Sequence, residues 1–177
     1  MTTHAFIDES TRRGTYLICV ATCVSSELAG ARQALRGLLL PGQRRLHFAT
    51  ESDRRRRLIL SRLSELASAS VVYLAEHRDQ PAARAAILER AAKELHGDGV
   101  TGLTIESRSG QDHNDRAVIY QALGPDPVLA YRHMTAAEEP MLWVPDAIAW
   151  AYGRGGHWKR QLERLDLIGG IAHVEVP

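Results

Sequence analysis

The ten residues from Thr15 to Val24, Thr-Tyr-Leu-Ile-Cys-Val-Ala-Thr-Cys-Val, form a nearly unbroken run of β-branched and apolar side chains. A strand with one wet face alternates polar and apolar positions, so a continuous run is expected of a strand covered on both sides. The chain must therefore build a sheet with a packed layer above and below it. The neighbouring strand is the apolar segment ending in Phe6-Ile7. The polar stretch Ser10-Thr-Arg-Arg-Gly14 suits the turn of an antiparallel hairpin between the two. On this reading Asp8 sits at a strand end, sharing a face with Phe6, while Glu9 shares the opposite face with Ile7. Two readings of Asp8-Glu9-Ser10 stay open on the triplet alone: solvated turn residues, or a carboxylate carried into a cleft.

Downstream, strand and helix signals alternate. Ser25 to Leu40 reads as a serine-capped helix ended by Pro41-Gly42, and Thr50 to Leu66 as a helix with acids in its first turn and leucines at helical spacing. A strand over Val71–His77, a helix over Pro81–Leu95, a strand over Leu103–Ser107, a helix over Asp112–Leu123 and a strand over Val128–Met134 follow. Helices over Trp143–Tyr152 and Trp158–Leu165 precede a tail, Ile171–Val176, that reads as an edge strand or a frayed end. This pattern predicts an α/β fold, a mixed sheet opening with an antiparallel hairpin and carrying helices on both faces. At 177 residues the chain suits one domain, residues 1–177.

Composition excludes several classes. Hydrophobic residues make up 45% and charged residues 24%, which fits neither a disordered nor a fibrous chain, and the net charge of +1 argues against a dedicated DNA-coating protein. Lys93 and Lys159 are the only lysines among 22 basic residues, and so marked an arginine bias reflects coding composition as much as phosphate binding. Met1-Thr-Thr-His leads directly into the first strand and no apolar run spans a membrane, so a cytoplasmic protein without membrane association is expected. Cys19 and Cys23 lie four apart on one strand, too far to bridge, and read as reduced core thiols. A phosphate loop, a His-Glu-x-x-His zinc helix, a Cys-x-x-Cys pair and a nucleophile elbow are all absent. Gly153-Arg-Gly-Gly156 follows a helix, which fails as a dinucleotide fingerprint, so no nucleotide cofactor is expected.

In an open α/β sheet the strand ends and adjacent helix N-termini share a crevice. Three acids satisfy that geometry: Asp8 after the first strand, Glu106 at the end of Leu103–Ser107, and Asp146 in the first turn of the Trp143 helix. Asp146 stands among Trp143, Val144, Ala147, Ile148 and Trp150, where an ionised carboxylate needs a partner, although helix capping is the more frequent role for such a residue. Three converging carboxylates repel one another. Mg2+ or Mn2+ relieves the repulsion with the oxygen ligands it prefers, and such ions orient water and stabilise charge on a phosphodiester. His47 is a candidate proton donor or phosphate contact, with a loop hydrogen bond as the alternative. Arg44, Arg45, Arg54 and Arg55 are candidates for a rim tracking a nucleic-acid backbone, with a solvated helix face as the alternative. Trp143, Trp150 and Trp158 fit core packing better than base stacking.

The same residues carry a resemblance. Asp8-Glu9-Ser10 after a short apolar strand, Leu46-His47-Phe48 before an arginine-rich helix, and Pro145-Asp-Ala-Ile-Ala149 resemble the family catalogued as domain of unknown function 3800, over residues 5 to about 152. The resemblance implies a ribonuclease H-like fold. It also implies that Asp8 and Asp146 occupy the family's acidic positions, His47 its histidine, and Glu106 a position more often aspartate; Thr11 stands where many members have glycine. Together these features predict a magnesium- or manganese-dependent nuclease, RNA favoured over DNA, with Asp8, Glu106 and Asp146 as metal ligands and Glu9 and His47 in support. Two other classes compete: a non-catalytic RNA- or protein-binding module of the same fold, and a regulatory or defence protein acting through a partner.

Overall fold

In a computed structural model, which describes residues 1–177 apart from Arg13 and Asp126, six strands form one mixed sheet in the order β5-β4-β1-β2-β3-β6. The hairpin strands β1 (Thr3–Arg12) and β2 (Thr15–Val24) are antiparallel, and β3 (Ser68–Glu76) continues antiparallel from β2. On the other side of β1, β4 (Gly102–Glu106) and β5 (Ala130–Met134) run parallel to it; β6 (Gly170–His173) pairs parallel with β3, which makes the tail an edge strand.

The continuous apolar run of β2 sits third from one edge and is sandwiched, as expected. Leu17, Cys19, Ala21 and Cys23 face one core, with α1 (Ser25–Arg36), α2 (Asp53–Leu63), α5 (Trp143–Arg154) and α6 (Gly156–Arg164). Tyr16, Ile18 and Val20 face the other, with α3 (Gln80–Gly97) and α4 (Asp112–Leu123). Cys19 and Cys23 are buried free thiols. Trp143 and Trp158 are buried, and Trp150 completes an edge-to-face aromatic cluster with Trp158 and Phe48, so these rings are packing elements. Among the described residues no helix is long and apolar enough to cross a membrane.

Three local expectations are corrected. The hairpin is longer than Ser10–Gly14 allows: Ser10 pairs with Leu17 and Arg12 with Thr15, so Ser10 to Arg12 are strand residues; Arg13 lies outside the described residues, and Gly14 has a φ of 83° that suits glycine. Asp8, opposite Cys19, is therefore in mid-strand. Ser25 does not cap α1: Val24 holds the cap position, and the Ser25 hydroxyl donates instead to the Thr2 carbonyl at 3.1 Å. That helix also stops at Arg36, short of Leu40.

Helix α5 lies tightly on the hairpin. A Cβ built on Gly153 would stand 2.8 Å from Leu17 Cδ1 and 3.1 Å from Arg12 Cγ. Gly153→Ala should therefore cost about 1–3 kcal/mol through overpacking, read as a lower urea midpoint with an unchanged m-value.

Candidate active site

Strand register brings the first two carboxylates together. Ile7 pairs with Ile105 in the parallel β1–β4 ladder, so Asp8 and Glu106, one step further along, emerge side by side. There β4 ends while the hairpin continues, so the sheet end at this point is that of β4 rather than β1. Both side chains lie on the face of Phe6 and Thr104, over which α5 packs. Asp146, in the first turn of α5, is the third. It does not cap its own helix, which enters from the 3-10 turn Pro140–Leu142 without a side-chain cap; instead Asp146 Oδ2 accepts the Phe48 N–H at 2.9 Å. That bond ties down the loop carrying Arg45 and His47. Asp8, Glu9, Glu106, Asp146, Arg45, His47 and Arg108 all border one cavity of about 290 Å3.

The electrostatics follow from that crowding. Asp8 is 7% exposed, and its carboxyl is held well above the usual range, first by burial, then by its hydrogen bond with Glu106 and the charges of Glu106 and Asp146, against a lowering influence of Arg108. Asp146 is also raised, chiefly by burial; the Phe48 N–H and nearby His47 and Arg45 pull the other way, while Glu106 adds to the rise. Two buried carboxyls held up by burial and by the charge of a third acid beside them form a place where a cation can take over from protons. Oxygen-only donors suit a hard divalent ion such as Mg2+ or Mn2+. The trio is open rather than clenched: among the described residues only Asp112, Asp115 and His133 bring ligand atoms all within 4.8 Å of one another.

Glu9 points through the sheet to the opposite face. Its carboxylate is buried and paired with both Arg84 and Arg108. Arg84, itself buried, forks onto Asp115 at 2.8 and 2.7 Å and reaches the Tyr16 hydroxyl at 3.3 Å; His133 Nε2 lies 3.0 Å from the same Asp115. Asp112 accepts the Arg108 N–H at 2.9 Å and the Ser107 hydroxyl at 2.7 Å. No motif or spacing in the sequence announces this knot, although one signal points to it. Arg84 falls at helical spacing with Ala83, Ile87, Leu88 and Ala91, all buried, and a charge on an apolar stripe requires a buried partner.

The arginines separate. Arg45 Nη1 lies 3.7 Å from Glu106 Oε1 with its side chain half exposed, and Arg44, Arg54 and His47 are exposed near the cavity loop or at the start of α2. Arg55 turns inward, donating to Glu51 at 3.3 Å and the Leu38 carbonyl at 2.5 Å. Its neighbour Arg56 stacks over Trp150, 4.3 Å from the ring centroid.

No protein-family model matches the chain, and no curated protein matches it. Solved structures do. The ribonuclease H2 from Pyrococcus horikoshii OT3 superposes with a TM-score of 0.55 at 16% identity, over 93% of this chain and 76% of that one. The ribonuclease HII of Archaeoglobus fulgidus, solved in complex with PCNA, gives the same TM-score, identity and coverage. At that identity the likeness is one of fold: the chain has a ribonuclease H-like mixed sheet.

Proposed function

We propose that the chain hydrolyses phosphodiester bonds of nucleic acid, RNA in preference to DNA, with Mg2+ or Mn2+ held by Asp8, Glu106 and Asp146. The observation carrying this reading is the convergence of those three side chains, from two neighbouring parallel strands and the first turn of α5, on a cavity that also holds Arg45 and His47. A divalent ion bound there supplies activation of water and stabilisation of charge on the phosphoryl group. The protein residues do the rest. Asp146, fixed by the Phe48 N–H, holds the His47 loop over the cavity, where His47 serves as proton donor to the leaving oxygen or as a phosphate contact. Arg45, with Arg44 and Arg54 beyond it, gives the backbone a cationic approach. The domain-of-unknown-function 3800 resemblance supports the same assignment of Asp8, His47 and Asp146.

A second reading has one observation in its favour. The Phe48–Asp146 bond gives that carboxylate a structural task whether or not a metal binds, as expected of a binding module that keeps its acids for architecture. Cleavage of end-labelled RNA separates the two. Mg2+-dependent products that vanish with EDTA and fall at least about a hundredfold in Asp146→Asn support hydrolysis. Full activity in Asp146→Asn excludes the site.

A further inference from the structure

We propose that Arg108 is the residue that grips the substrate phosphate beside the carboxylates, and that Glu9 is its positioning residue rather than a metal ligand. The proposal rests on the phosphodiester reading above for the identity of the ligand. Arg108 sits just past the end of β4, in a connection pinned at both sides: its N–H and the Ser107 hydroxyl both go to the Asp112 carboxylate, and its carbonyl accepts the Gln111 N–H at 3.0 Å. Its side chain is 49% exposed and lines the cavity with Asp8, Glu106 and Asp146. Among the described residues its only ion pair is with Glu9, whose side chain is 3% exposed.

The arrangement is asymmetric in a useful way. Glu9 already has Arg84 as a buried counter-charge, so Arg108 is a second guanidinium on one carboxylate. A guanidinium offers five donors in a rigid fork, and a carboxylate engaging one edge leaves the other free to face an anion. Held this way, Arg108 loses little side-chain freedom when a phosphate arrives, which is the advantage of a preorganised donor over a mobile surface arginine. It also gives a reason for the glutamate that follows Asp8: strand alternation sends its side chain to the opposite sheet face, where, at the edge of the same cavity, it anchors the arginine that enters from the β4–α4 connection.

The test uses binding of a short labelled single-stranded RNA in EDTA, which needs no catalysis, together with cleavage in Mg2+. Arg108→Ala should weaken binding about tenfold and flatten the dependence of log affinity on log salt by about one unit. In cleavage the loss should fall mainly on KM, Arg108→Lys should recover part of it, and added guanidinium should partly rescue Arg108→Ala. Glu9→Gln should weaken binding without being rescued by guanidinium. Arg62→Ala, whose guanidinium pairs with Glu65 on the exposed end of α2, should match the unsubstituted protein. If Arg108→Ala binds with unchanged affinity and salt slope, the assignment is overturned, whatever happens to Glu9→Gln and even if that variant fails to fold. If the protein binds RNA through Arg108 but cleaves nothing in Mg2+, hydrolysis fails and the phosphate grip stands. If the unsubstituted protein binds no nucleic acid, both fall.

Discussion

Asp8→Asn is expected to make the metal-free protein more stable while abolishing the proposed phosphodiester cleavage. Asp8 is buried against Glu106 with Asp146 nearby, and its carboxyl is raised by burial and by both neighbours, so the folded state holds the Asp8 proton more tightly than the unfolded chain does. The sign is unambiguous. Where the folded state binds more protons, stability falls as pH rises from the unfolded value of about 4 through the raised one. At neutral pH folding therefore requires Asp8 either to take up a proton or to bear a repulsive charge, a cost that asparagine, nearly the same shape, avoids. A gain of about 1–2 kcal/mol is typical when a strained functional charge is removed, and in a chain of this size it appears as a melting temperature higher by about 2–8 °C in EDTA. Adding Mg2+ should reverse the order. A ligand at a hundred times its dissociation constant stabilises by about 2.7 kcal/mol, available to the unsubstituted protein and lost to Asp8→Asn. Cleavage should drop at least about a hundredfold. A melting temperature that responds equally to Mg2+ in both proteins would place the ion elsewhere, and the Asp112, Asp115 and His133 cluster is where it would then be sought.

What the sequence made legible follows the range of the interactions concerned. Helix α4 begins at Asp112 and ends at Leu123 as its pattern predicts, and β2 spans Thr15–Val24, because burial of a periodic or continuous apolar run is written in neighbouring residues. The facing of Asp8 and Glu9 was likewise readable, since alternation along a strand is local. The length of the hairpin was not: Ser10, Thr11 and Arg12 are polar, and only their pairing with Leu17, Tyr16 and Thr15 makes them strand. The same pairing moves Asp8 into mid-strand while leaving Glu106 at the end of β4 as expected. Asp146 was identified by the oddity of an acid among tryptophans and alanines, but its partner, the Phe48 N–H, is 98 residues away and could not be inferred from spacing. Arg84, Asp115 and His133 share that difficulty. Each lies on a different element, and the topology alone makes them neighbours.

That knot carries the largest stability effect. Arg84→Ala should cost about 3–5 kcal/mol, because it strands two buried carboxylates at once. Arg84 is 6% exposed, engages Asp115 through both oxygens and pairs with Glu9, so nothing replaces it from solvent. His133 and Arg108 remain, but His133 already bonds Asp115 and Arg108 is half in water. The pH profile identifies the cause. Burial raises the Asp115 carboxyl, but the hydrogen bonds from Arg84 and His133 outweigh it and leave it below its ordinary value. With Arg84 present, that depressed group contributes stability above the unfolded value of about 4, and the contribution is lost as pH falls through the folded one. Without Arg84 the depression of Asp115 loses its largest source, burial is opposed by His133 alone, and protonation relieves the buried carboxylate. Urea unfolding should therefore show the gap between the two proteins narrowing from about pH 7 to about pH 4. A constant gap would instead assign the cost to the lost packing of the arginine's aliphatic stem between α3 and β2. Arg84→Met separates the contributions further, since it fills that space without charge and should recover only the packing part.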